Sequence, residues 1–106
     1  MSSQEQVGMN KESLIRKVAV KNELGLHTRP ATLIVKLLQD SKSEIFFTHN
    51  NETINAKSIL SILMLAAQKN ALITIEVKGE DAQATLDRLL EAFDNGFGEG
   101  VKNGVL

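Results

Sequence analysis

Two histidines, one proline and no cysteine leave few places where side-chain chemistry can be concentrated. One stretch holds most of it: Gly25-Leu26-His27-Thr28-Arg29-Pro30-Ala31. Pro30 suits the first turn of a helix, where its missing N–H costs no bond. The other free N–H groups of that turn, with the positive end of the helix dipole, make a ready anion site. Arg29 adds a permanent charge fitted to a phosphoryl group or another oxyanion. His27 stands at the mouth with a ring nitrogen able to act as nucleophile, and the dipole disfavours its cation. A lone histidine beside a helix is usually only a polar loop or capping residue. Here four features coincide, and together they describe a group built to be phosphorylated.

Such a site needs a strand to deliver the loop and a helix to receive it, and the flanking pattern supplies both. Residues 16–21 (RKVAVK) alternate with a strand's period, with Val18 and Val20 on one face. Beyond Pro30, the stripe Ala31, Ile34, Val35 and Leu38 predicts a helix over residues 28–39. Residues 43–48 and Thr53-Ile54 read as a hairpin turning at 49–52. NAKS leads into a second helix, ILSILMLAA, which is apolar nearly all round. LITIEVK, residues 72–78, is the best strand of the chain. Asp81 is placed to cap a last helix whose stripe is Ala82, Leu86, Leu89, Leu90, Phe93 and Phe97. The order β-α-β-β-α-β-α predicts an α+β fold: a two-layer open-faced sandwich with a four-stranded, mainly antiparallel sheet and three helices on one face. The other sheet face, with Lys17, Lys21, Thr74, Glu76 and Lys78, would meet water. Residues 1–13 read as a flexible leader, 14–97 as the domain, and 98–106 as a tail that frays.

Composition narrows the function classes. The 106 residues carry 12 Lys+Arg against 13 Asp+Glu, a net charge of -1, with 42% hydrophobic and 24% charged residues, as expected of one globular domain. Absence of Cys excludes disulfides, thiolate metal sites and a cysteine nucleophile. No basic excess and no Trp or Tyr argue against nucleic acid as a partner. The apolar runs are far shorter than the roughly 18 residues of a membrane span, so no membrane insertion is expected. A cytoplasmic monomer is the simplest expectation.

The heptapeptide resembles the active-site signature of the HPr family, the histidine-containing phosphocarriers of the bacterial phosphotransferase system, and the likeness extends over about residues 16–96. It implies an HPr-like fold and a phosphocarrier rather than an enzyme, in which His27 accepts a phosphoryl group on Nδ1 from enzyme I and passes it to IIA proteins or domains of sugar transport. Arg29 would neutralise that group, Pro30 would start the helix, and no metal or cofactor would be needed. Asn55-Ala56-Lys57-Ser58-Ile59-Leu60 resembles a second signature, whose serine is the target of HPr kinase/phosphorylase. That makes Ser58 a regulatory phosphorylation site, although a serine there is also an ordinary N-cap. Ile59, Leu60 and Leu63 are expected in an apolar docking patch, and Lys36 and Lys57 with Arg29 in a basic rim around His27. Ile62 and Leu65 are expected in the core.

The sequence departs from the family's pattern at Ala66 and Asn70, where many members carry glycine. SILMLAA and FDNGFGEG look more like the nitrogen-branch paralogue NPr. This keeps open a second reading, a regulatory binding module whose phosphorylation state switches partner affinity rather than feeding transport. A small hydrolase or metal enzyme using both histidines is disfavoured, since no His/Asp/Glu cluster shows ligand spacing. His49, in the hairpin turn, reads as a surface residue.

Overall fold

The computed structural model describes residues 12–99; residues 1–11 of the expected leader (1–13) and 100–106 of the expected tail (98–106) lie outside the described residues. Strand β1 spans Glu12–Ala19, β2 Glu44–His49, β3 Glu52–Asn55 and β4 Leu72–Gly79, all antiparallel in the order β1-β4-β2-β3. The helices are α1 (Thr28–Leu38), α2 (Ile59–Met64) and α3 (Ala82–Asp94). The expected α+β open-faced sandwich is the observed architecture. No helix among the described residues is long and apolar enough to cross a membrane.

Alternation along β4 sends Ile73, Ile75 and Val77 inward, where they meet Ile34, Leu38, Leu86, Leu89 and Phe93 of the helices in one core. Phe47 and Phe93 pack edge to face, with ring centroids 5.8 Å apart. Strand β1 begins at Glu12, four residues ahead of the expected start and inside the stretch read as leader. Its period is hidden in the sequence by two adjacent apolar residues. Leu14 pairs across from Val77 and packs on the core, while Ile15 pairs across from Glu76 on the open face.

The hairpin turns at Asn50 and Asn51, both with positive φ, the conformation that a tight β-turn of this hand demands and that Asn tolerates. Helix α2 is shorter than its apolar run suggests, because the chain turns left-handed at Ala66 (φ 54°). Helix α3 stops at Asp94, before the end of its expected stripe. Phe97 still reaches the core, through a 3-10 turn at Gly96–Gly98 in which its own φ is 56°, and it packs on Phe93 at 4.9 Å.

Asp81 corrects another expectation. It precedes α3, but its carboxylate makes no cap bond. It accepts instead from Ser43 Oγ at 2.5 Å, Lys42 N at 2.9 Å and Ser41 Oγ at 3.1 Å, tying the α1–β2 loop to the start of α3.

Helices α1 and α2 lie side by side and antiparallel. Leu26 N, before α1, donates to Ala67 O, just past α2, while Lys57 Nζ, before α2, donates to Ser41 O, past α1. This arrangement decides which sequence-predicted residues can reach His27.

Candidate functional site

The loop between β1 and α1 is shaped by one close approach. Gly25 has φ 69°, and a Cβ there would collide with the Ala67 carbonyl oxygen and lie 2.7 Å from Gln68 Cα. Only glycine lets the chain lie against the 67–68 backbone while adopting that φ. The Leu26 N bond to Ala67 O at 2.9 Å then fixes the position of the next residue, His27.

His27 is the N-cap of α1, with extended backbone and no side-chain cap bond. Ala31 N donates to His27 O at 3.0 Å and Pro30 has no N–H, so Thr28 and Arg29 carry the helix-start amides without an intrahelical acceptor. Pro30 is buried in the first turn, as its conformation predicts. The His27 side chain is 32% exposed and that of Arg29 73%, so the ring lies at the surface and the guanidinium is open to solvent.

The partner that sequence reasoning missed is Glu99. Its Oε2 lies 3.1 Å and its Oε1 3.2 Å from His27 Nε2, and Arg29 Nε is 3.8 Å from Oε2. Asn22, buried in the loop three residues past β1, donates from Nδ2 to Glu99 Oε1 at 2.6 Å and to Gly96 O at 2.9 Å. Its Oδ1 is buried without a hydrogen-bond partner among the described residues. Burial pushes the Glu99 carboxyl up, but the bonds from Asn22 and His27 and the charges of His27 and Arg29 outweigh it and hold the group below the ordinary glutamate range. The segment expected to fray from residue 98 is therefore held, as far as Glu99, against the loop that carries His27. A sequence signal existed only in outline: the glycines at 96 and 98 permit a sharp return of the chain, but nothing in them names His27 as its destination.

The other expected residues divide by location. Lys36 lies in the last turn of α1, about 13 Å along the axis from His27. The Lys57 ammonium is bonded to Ser41 O at 2.8 Å, also at the far end of α1. Of the three cations expected to rim His27, Arg29 alone is brought to it. Ser58 is the N-cap of α2, its Oγ accepting from Ser61 N at 3.2 Å, and the antiparallel packing places it at the end of α2 remote from His27. Ile62 and Leu65 are in the core, whereas Leu60 is 67% exposed, Ile59 is exposed at its margin, and Leu63 is half-buried against the core. Met64, 70% exposed, and Leu24, 74% exposed, add apolar surface that the sequence reading did not single out. His49 is partly exposed and sets Nδ1 3.3 Å from Leu72 O.

Comparison with known proteins bears directly on this geometry. Residues 14–95 match the family model described as the PTS HPr component phosphorylation site. The chain belongs to the HPr family. A phosphocarrier protein HPr of Chlamydia muridarum is 45% identical over 80 residues, 76% of this chain and 77% of that one. One of Cupriavidus necator is 37% identical over 87 residues, 82% and 98% of the two chains. The crystal structure of HPr-C-His from Thermoanaerobacter tengcongensis superposes with a TM-score of 0.78 at 30% identity, covering 81% of this chain and 97% of that one. The fold and the family expectation are thus the observed ones, and membership makes the chain a phosphocarrier of the bacterial phosphotransferase system. At the two positions where the resemblance led to an expectation of glycine, the backbone is left-handed: Ala66 has φ 54° and Asn70 φ 74°.

Proposed function

We propose that His27 carries the phosphoryl group on Nδ1, accepting it from enzyme I and passing it to IIA proteins or domains. The observation that carries this reading is the placement of His27. Its ring is at the surface, next to the helix-start amides of Thr28 and Arg29 and an exposed guanidinium, with Nε2 engaged by Glu99 and Nδ1 outside that contact. Incoming phosphoryl oxygens can be met by the amides and by Arg29. The resulting P–N bond is labile enough to be passed on, so the chain acts as a relay and needs no cofactor. A single rigid monomeric domain with one exposed site, acting in the cytoplasm, suits serial docking on unlike partners. Leu60, Met64 and Leu24 offer apolar docking surface.

Ser58 fits a regulatory modification by HPr kinase/phosphorylase. A phosphate at a cap position meets the start of α2 without unfolding it and puts negative charge beside exposed Leu60.

Incubation with enzyme I and phosphoenolpyruvate tests the reading. Acid-labile phosphate should appear on the native chain, be absent from His27→Ala, and move to an added IIA protein. A phosphorylated chain that labels no IIA acceptor, of the sugar or the nitrogen branch, would favour the regulatory binding module instead.

A further inference from the structure

Glu99 meets the ring of His27 at the nitrogen opposite the one assigned to the phosphoryl group. We propose that Glu99 is a positioning residue for phosphoryl transfer, accepting the Nε2–H hydrogen bond, keeping that proton on Nε2 and leaving the Nδ1 lone pair as the nucleophile. The inference rests on the reading of His27 as the carrier.

Three observations converge on it. Both carboxylate oxygens stand within 3.2 Å of Nε2, and an ionised carboxylate can only accept, so Nε2 must donate. In the neutral ring the lone pair is then on Nδ1. The carboxylate is itself held: Asn22, 1% exposed, donates to Oε1 and to the carbonyl of Gly96, and so fixes both the head group and the turn that brings it back. Finally, the Glu99 side chain is only 18% exposed, which strengthens a charge-assisted bond relative to one in water.

The step balances as follows. The Nδ1 lone pair forms a bond to phosphorus while the bond from phosphorus to the nitrogen of the donor phosphoprotein breaks, its electron pair leaving with the donor. The Nε2 proton stays in place. Positive charge develops on the His27 ring as the P–N bond forms, and the Glu99 carboxylate lies against it. Transfer to the acceptor reverses the sequence. A carboxylate that orients a histidine and stabilises its developing cation acts in this way in hydrolytic triads. Arg29, more exposed and 3.8 Å from Oε2, can turn from Glu99 to the arriving phosphoryl oxygens.

The test joins proton NMR of the His27 ring with phosphoryl uptake from enzyme I, on native, Glu99→Ala and Glu99→Gln chains whose folding is verified by urea denaturation. The native chain should show an exchange-protected, downfield Nε2–H signal. Glu99→Ala should lose that signal and take up phosphoryl about tenfold more slowly, the size of effect expected of one charge-assisted hydrogen bond. Glu99→Gln, whose side-chain carbonyl can still accept, should keep the signal and recover part of the rate. A Glu99→Ala chain with native uptake, or a native chain without the protected proton, overturns the proposal. Failure of the native chain to take up phosphoryl counts against the carrier reading. The ring-proton comparison, which needs no donor, still decides whether Glu99 holds the ring.

Discussion

Asn22 and Glu99, 77 residues apart in sequence, are joined by a 2.6 Å hydrogen bond from the amide nitrogen of one to the carboxylate of the other. The amide orientation follows from chemistry, because both groups facing Nδ2, the Glu99 carboxylate and the Gly96 carbonyl, are acceptors. One buried side chain thus closes the C-terminal turn onto the loop that carries His27. The site is assembled from both ends of the domain.

Asn22→Ala should cost about 1–3 kcal/mol in urea denaturation, since it removes two hydrogen bonds and leaves the Gly96 carbonyl and Glu99 without this donor. Asn22→Asp should cost more, because it sets a second carboxylate against Glu99 in a half-buried place. Equal stability of native and Asn22→Ala chains would show that the closure contributes nothing.

Asp81 gives the fold an acid-sensitive joint. The Ser43 hydroxyl, the Lys42 amide and the Ser41 hydroxyl, acting against burial, hold its carboxyl at about 2, below the ordinary 3.8. A group whose pKa is depressed by folding stabilises fully above its unfolded value, and that stabilisation is lost as pH falls toward the folded one. Stability measured by urea denaturation should therefore be level with respect to this group above pH 3.8 and decline toward pH 2. Asp81→Asn should lower stability at neutral pH by about 1–3 kcal/mol and flatten that part of the acid limb. An unchanged acid limb would reject the assignment.

Ala66 occupies a left-handed conformation, φ 54°, immediately after α2, a position where glycine has no Cβ to strain. Relief of that strain exceeds the added flexibility of the unfolded chain, so Ala66→Gly should stabilise by on the order of 1 kcal/mol. Thermal unfolding would show it as a rise of several degrees. Gly25→Ala is the converse. It adds a Cβ against Ala67 O at φ 69° and should cost about 2 kcal/mol or more while slowing phosphoryl uptake, because His27 follows two residues later.

What the sequence made legible was local. The heptapeptide around His27 is contiguous, so its strand-to-helix setting could be read from the alternation before it and the 3.6-residue stripe after it. The stripe in α1 and the alternation in β4 survive in the structure almost to the residue. The start of β1 did not show, because Ile15 on the open face masks the period. The place of Lys36 and Lys57 could not be read either, since it depends on α1 and α2 packing antiparallel, which no stretch of either helix encodes. Glu99 was hidden for a similar reason. Its meeting with His27 depends on a left-handed Phe97 and on a buried Asn22 amide, neither of which leaves a periodic signal.

Ser58 allows capping and regulation to be separated. Its Oγ accepts from Ser61 N at 3.2 Å, and loss of such a cap costs about 1 kcal/mol. Ser58→Ala should lower stability by that amount yet leave uptake of phosphoryl from enzyme I near native, because α2 presents its other end to the His27 loop. Ser58→Asp keeps a capping carboxylate, so its stability should stay close to native. Its added charge beside exposed Leu60 should nonetheless weaken docking, seen as a raised KM for the chain in the enzyme I reaction with little change in kcat. If Ser58→Asp and Ser58→Ala gave the same KM, charge at this position would have no part in partner recognition, and Ser58 would be a cap alone.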